Sequence, residues 1–184
     1  MPDSEAPGAL LLCLDMQAPF IDAVVDGAKL TQRCALALQA ARGLGIDVAL
    51  TEQVPAKLGP TLPEIKAAAG DAPILGKTTF SALAEPAVAG LIAEREVAHL
   101  ILCGLETPIC VYQTALDALN QDLVVTVLSD AVGARRLDDA TRVIEALSRH
   151  GAHVLPLESV FYALLHDASH PYFRTFTQLV KSHG

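Results

Sequence analysis

The sequence has no tryptophan, two methionines and only 4% aromatic residues, so large rings cannot build its interior. Apolar residues still make up 52% of it, and the core must therefore come from Leu, Ala, Val and Ile. Charge is also scarce, at 18%, and biased: 13 Lys and Arg stand against 21 Asp and Glu, giving a formal net charge of -8 and a pI near 5.1. A chain without a basic stripe has little to neutralise phosphates, which makes nucleic acid and anionic membrane surfaces poor partners and points to a small molecule. No apolar run approaches the roughly 20 residues of a membrane helix. The opening MPDSEAPG lacks the positive and apolar regions of a secretory signal. Cys13, Cys34, Cys103 and Cys110 show no CxxC spacing, which suggests neither a disulfide frame nor a zinc site and suits the reduced thiols of a cytoplasmic protein.

What is present is an alternation of short apolar runs with longer stretches of helical period, the pattern of a parallel sheet covered on both faces. The 184 residues are enough for one domain with one sizeable core, read here as 1–184 with a flexible segment at 1–7. Six strands are predicted at about Ala9 to Leu14, Asp47 to Thr51, Pro73 to Leu75, Ala98 to Cys103, Leu123 to Leu128 and His153 to Pro156. Helices are predicted at about Ala28 to Leu44, Leu62 to Ala69, Pro86 to Glu94, Ile109 to Gln121 and Asp138 to Arg149, with two more near the C-terminus. Gly45 and Gly151 mark helix ends and Pro86 a first helical turn. The class is α/β with a six-stranded, mostly parallel sheet.

Open parallel sheets bind ligands beyond the carboxyl ends of their strands, and this filters the candidates. The residues just past predicted strand ends are Asp15, Glu52 and Gln53, Lys77, and the run Gly104 to Thr107. Cys110 follows that run at the predicted start of a helix, where the dipole eases ionisation of a thiol and unpaired amides can hold an oxyanion. Each residue also has a plainer reading. Cys110 can be a small buried apolar group, Asp15 a loop-anchoring carboxylate and Lys77 a solvated surface charge. Arg135 and Arg136 could bind a carboxylate, but a pair opening a helix whose first turn holds Asp138 and Asp139 reads more readily as surface charge.

The order LLLCLDMQAPF, LGKTTFSAL and ILCGLETPICVYQTALDAL resembles the isochorismatase-like cysteine hydrolases, whose Asp, Lys and Cys follow this sequence order. The likeness runs over almost the whole chain. It is closest to the small isochorismatase domain-containing proteins, through TEQVPAKLGPTLPEI, SDAVGARR and HPYF, and its specific core is G-x-x-T-x-x-C at Gly104, Thr107 and Cys110. The resemblance implies a three-layer αβα Rossmann-like fold, with Asp15, Lys77 and Cys110 as the catalytic residues. Asp15 would take the thiol proton and later activate water, Lys77 would hold thiolate and carboxylate in register, and a covalent acyl intermediate would form. It also implies a cis Leu105-Glu106 peptide bond and an oxyanion hole from the amides of Glu106 and Cys110, with no role for the Glu106 side chain. Phe20, Gln53, Phe80, Thr107 and Tyr112 become candidate substrate-binding residues, and a homo-oligomer, dimer or larger, is expected.

One departure is informative. Nicotinamidases of this family carry a metal-binding Asp-x-His after the second strand, where this chain has Thr51-Glu52-Gln53, so neither metal nor cofactor is expected. The reading is a hydrolase of a small non-peptide amide or related acyl compound. Hydrolysis of a vinyl ether, a catalytically weak interaction protein and a redox-responsive thiol protein remain as alternatives.

Overall fold

The computed structural model describes residues 8–183; the flexibility expected of residues 1–7 lies outside them. Along the chain run β1 (Ala9–Leu14), α1 (Ala18–Ile21), α2 (Gly27–Gly43), β2 (Asp47–Gln53), α3 (Pro55–Leu58), α4 (Pro63–Ala69) and β3 (Ile74–Lys77). A 3₁₀ turn (Ala82–Ala84) leads to α5 (Pro86–Glu94) and β4 (His99–Leu105), and a wide turn (Thr107–Val111) leads to α6 (Tyr112–Asn120). The chain then continues through β5 (Val124–Gly133), α7 (Leu137–Arg149), β6 (His153–Leu155), α8 (Leu157–Leu165) and α9 (Phe173–His183). All six strands are parallel, in the order β3-β2-β1-β4-β5-β6.

Alternation along each strand divides the core in two. On β1, Leu11 and Cys13 point to the layer of α2, α4, α8 and α9, while Leu10, Leu12 and Leu14 point to that of α5, α6 and α7. Both faces are apolar, so the strand reads as an unbroken hydrophobic run. The register sets Cys13 opposite Cys103, and Cys34 of α2 packs over both. These three sulfurs, scattered in sequence, lie within 4.8 Å of one another in the buried core. No helix among the described residues is long and apolar enough to cross a membrane.

The order in which strands are added reverses between β1 and β4, the place where open α/β sheets form their ligand crevice. Two local features shape that crevice. Between Leu102 and Gly104, β4 advances two residues, while β5 advances five from Val127 to Val132, leaving a bulge. Asp130 anchors the bulge, accepting hydrogen bonds from the Arg33 guanidinium and, at 2.7 Å, from the Leu157 N–H at the start of α8. Such a bulge re-aims the residues beyond it, here Gly133 to Arg135. The second feature is Gly104, with φ +106 and its Cα packed against the β1 backbone: an added Cβ would stand 2.2 Å from the Leu14 carbonyl oxygen.

The expected cis bond is not present, since every peptide bond among the described residues is trans. Leu105 continues β4 in register with Gly133, and the chain turns through the positive φ of Gly104 and the wide turn that follows.

Gly104 and Gly151 separate conformation from close approach, because Gly151 also has positive φ (+98) but nothing within 4 Å of its would-be Cβ. Gly151→Ala is expected to cost about 1–2 kcal/mol in urea unfolding. Gly104→Ala should cost about 2–3 kcal/mol more, because backbone must move. Equal losses would show that the β1 contact is unimportant.

Candidate active site

Asp15, one residue past β1, takes the left-handed conformation (φ +53), which is uncommon outside Gly, Asn and Asp. Its N–H continues the ladder to the Thr51 carbonyl at 3.1 Å, and its buried carboxylate accepts at Oδ1 from Thr51 Oγ1 at 2.7 Å. Lys77 ends β3 and is fully buried, so its long stem runs beneath the rim. Its Nζ lies 2.8 Å from Asp15 Oδ2, as an ion pair without the alignment of a hydrogen bond. The same Nζ donates to Gln53 Oε1 at 2.5 Å and the Thr79 carbonyl at 3.2 Å, and stands 3.6 Å from Cys110 Sγ.

The end of β2 holds this lysine in place. Gln53 Nε2 donates to the Thr78 carbonyl at 3.1 Å, so the Gln53 amide is occupied on both sides. Gln17 then fixes the Gln53 backbone, accepting from its N–H at 2.8 Å and donating to its carbonyl at 3.1 Å. Glu52 turns away and binds both the N–H and the hydroxyl of Thr61, at 2.7 and 2.8 Å. The Thr51-Glu52-Gln53 run is thus committed to internal bonds and supplies no imidazole.

Cys110 does not open a regular helix. It lies in the wide turn before α6, where the Glu106 carbonyl accepts from both Ile109 N–H and Val111 N–H at 3.1 Å. The second bond spans five residues, a π-type turn of the kind that collects at functional sites. The helix-start argument predicts an easily ionised thiol, and the surroundings reverse it. Burial and the Asp15 carboxylate push the Cys110 pKa up to about 12, only partly offset by Lys77. The raised value favours a neutral resting thiol, with the Cys110 sulfur accepting from Lys77 Nζ.

Cys110 opens into a pocket of about 290 Å³ lined by Phe20, Ala23, Gln53, Phe80, Glu106, Ile109 and Arg135. Of the expected binding residues, Phe20, Gln53 and Phe80 are there, although the Gln53 amide is already spent on Lys77 and Thr78. Thr107 is fully buried and gives its hydroxyl to the Gly133 carbonyl at 2.9 Å. Tyr112 packs against the core on the α5–α6–α7 side. Neither lines the pocket. Glu106, expected to act through its amide alone, and Arg135, read chiefly as surface charge, both do, joined by a 2.9 Å ion pair. A larger hollow of about 640 Å³ between α1, α2 and α4 contains none of Asp15, Lys77 and Cys110.

With a thiol pKa near 12, the thiolate fraction climbs throughout the accessible range. Iodoacetamide labelling of Cys110, followed on its peptide by mass spectrometry, should accelerate about tenfold per pH unit from pH 7 to 10. A rate that levels off below pH 9 contradicts the neutral resting thiol.

Known proteins share this arrangement of strands and helices. The Isochorismatase domain family model matches residues 9–159. Isochorismatase domain-containing protein 2 of Bos taurus is 40% identical over 177 residues, 95% of this chain and 84% of that protein. Its Xenopus laevis counterpart is 35% identical over 176 residues, 96% and 84% of the two chains. Among solved structures, the Caenorhabditis elegans protein described as the MAR1 ribonuclease has a TM-score of 0.89 at 30% identity, covering 95% of this chain and 90% of its own. The Escherichia coli YcaC gene product, described as an octameric hydrolase of unknown specificity, has a TM-score of 0.84 at 22% identity, covering 96% and 94%. Likeness in sequence over nearly the whole length, together with the shared six-stranded fold, establishes that the chain belongs to the isochorismatase family.

Proposed function

We propose that the protein hydrolyses the C–N bond of a small non-peptide amide, with Cys110 as nucleophile, Asp15 as proton carrier and Lys77 as the electrostatic partner of both. The observation that carries this reading is the buried Lys77 ammonium group, whose Nζ stands 2.8 Å from the Asp15 carboxylate and 3.6 Å from the Cys110 sulfur, so that thiol and carboxylate share one cation. Oδ1 of Asp15 is occupied by Thr51, while Oδ2 has no aligned hydrogen-bond donor among the described residues, which supports it as the oxygen that takes the proton.

As the sulfur attacks the carbonyl carbon, its proton passes to Asp15. The ammonium of Lys77 offsets the charge that moves between sulfur and carboxylate. The carbonyl oxygen becomes an oxyanion, held by the backbone N–H groups of Glu106 and Cys110. When the intermediate collapses, the C–N bond breaks and Asp15 returns the proton to the leaving nitrogen, which departs as ammonia or an amine. Asp15 then deprotonates a water that attacks the thioester carbon, the C–S bond breaks, and acid and free thiol are released.

The apolar walls from Phe20, Phe80 and Ile109 favour a small, largely uncharged acyl group. A net charge of -8 and a pocket of this size support a small molecule over an RNA strand, so the activity in the name of the nematode relative is not carried over. We also assign a homo-oligomer. Phe80 is exposed in the pocket wall, and Val25 and Leu137 are exposed in a separate hollow, apolar groups suited to contact between copies.

Ammonia release from a panel of small amides should fall roughly 10³-fold or more in Cys110→Ala and in Asp15→Asn, and persist under a chelator. Turnover that survives Cys110→Ala, or that chelation removes, sinks the proposal. Light scattering on a sizing column should give a mass of at least two chains; a monodisperse monomer refutes the assembly.

A further inference from the structure

The thiol chemistry leaves the side chain of Glu106 unused, although it is one of the most buried carboxylates in the protein. Only 6% of that side chain is exposed, in the wall of the Cys110 pocket. Its Oε1 accepts from Arg135 Nε at 2.9 Å, whereas its Oε2 is buried with no hydrogen-bond donor among the described residues. A carboxylate oxygen out of water and without a donor destabilises the fold, and such an atom in a pocket wall marks where a ligand completes the set. Asp15 Oδ2 shares this condition but faces Lys77 at 2.8 Å; Glu106 Oε2 has no such neighbour.

The rest of the wall narrows the ligand. Phe20, Ala23, Phe80 and Ile109 offer no side-chain hydrogen bonds, and the Gln53 amide is spent on Lys77 and Thr78. Among the lining residues outside the reacting groups, Glu106 is therefore the one whose side chain keeps an acceptor without a donor. Arg135 already neutralises its charge, so a cationic donor would face the guanidinium and a neutral donor suits the site better. Arg135 is also the movable part of the wall. Its side chain is 55% exposed and, among the described residues, tied only through Nε, so it can shift to admit a substrate to Oε2 while still holding Oε1.

We infer that Glu106 determines substrate specificity, accepting a hydrogen bond at Oε2 from a neutral donor, a hydroxyl or N–H, carried beside the scissile carbonyl, with Arg135 as the residue that positions it. The inference rests on the amide hydrolase reading and names its substrate class: small amides with a donor next to the carbonyl, rather than plain aliphatic amides. Replacing Glu106 by Gln keeps the shape and an acceptor for Arg135, and can set an –NH₂ where Oε2 was. The preferred partner then changes from donor to acceptor.

The test measures binding, not turnover, in the Cys110→Ala protein, so failure here leaves the hydrolase proposal intact and failure of the Cys110 dependence leaves this result readable. Lactamide and isobutyramide exchange a hydroxyl for a methyl group, and pyruvamide sets a keto oxygen, an acceptor only, on the same carbon. Methylurea and propanamide form a second pair that exchanges N–H for CH₂. Dissociation constants come from NMR shift titrations. A donor-bearing compound should bind roughly tenfold more tightly than its hydrocarbon isostere, the scale of a hydrogen bond to a charged group. In Cys110→Ala/Glu106→Gln the advantage should vanish and pyruvamide should become the better ligand. Equal binding of lactamide and isobutyramide together with equal binding of methylurea and propanamide overturns the inference. So does a preference that Glu106→Gln leaves unchanged. If the double variant fails to fold, the comparisons in Cys110→Ala decide alone.

Discussion

The ion pair of Asp15 and Lys77 is buried on both sides, and the geometry of the rim depends on keeping it there. Two charges removed from water carry a desolvation penalty of several kcal/mol each, which close contact repays only when further hydrogen bonds satisfy the remaining sites. The protein supplies them. Thr51 holds one carboxylate oxygen, Gln53 and the Thr79 carbonyl take up the ammonium, and Gln17 fixes the Gln53 backbone. Removing either charge would strand the other, at a cost of about 3–5 kcal/mol. That is a large share of the roughly 5–15 kcal/mol by which a domain is stable. A pair this expensive is a weak device for stability and a useful one for chemistry. It keeps a carboxylate beside a thiol in a site that water cannot screen.

The sheet makes this possible by bringing three strand ends to one rim. Leu14 is in register with both Thr51 and Gly104, and Gln53 with Lys77, so Asp15 and Lys77 meet across β2 and the chain after β4 delivers Cys110. The bulge in β5 adds the other half of the pocket by directing the segment after Gly133 toward Glu106. The residues of the candidate site thus come from different local devices: a left-handed Asp, a buried Lys, a π-type turn and a bulge.

Much of this is legible in the sequence. β1 has the predicted bounds, and all six strands and the principal helices fall near their expected places, because runs such as LLLCL and HLILC are too apolar for any exposed element. The strands differ at their carboxyl ends. β2, β4 and β5 run on through Gln53, Leu105 and Gly133, where pairing with a neighbour keeps polar residues and glycine extended. A hydrophobic pattern stops at the first such residue. Register is likewise silent in one chain, which is why the bulge and the meeting of Cys13, Cys34 and Cys103 went unread.

The site shows the same division. Asp15, Lys77 and Cys110 could be placed on one rim from strand ends alone, but not the ionisation of Cys110, since a helix-dipole argument omits burial and the adjacent carboxylate. Arg135 and Arg136 are the clearest case. As a basic pair before an acidic helix turn they look alike, and Arg136 is indeed an exposed partner of Asp139 at 2.6 Å. In an extended segment neighbours point to opposite sides, so Arg135 faces the pocket instead. That alternation was the available signal.

The central claim is that a neutral thiol becomes the nucleophile by giving its proton to Asp15, and so forms a thioester. It is tested most directly by acid-quenching the enzyme during turnover of a small amide and measuring the mass of the Cys110 peptide. The account predicts an acyl adduct on that peptide, gone once substrate is exhausted. Ammonia release with no adduct at any quench time, or an adduct confined to another residue, would contradict it.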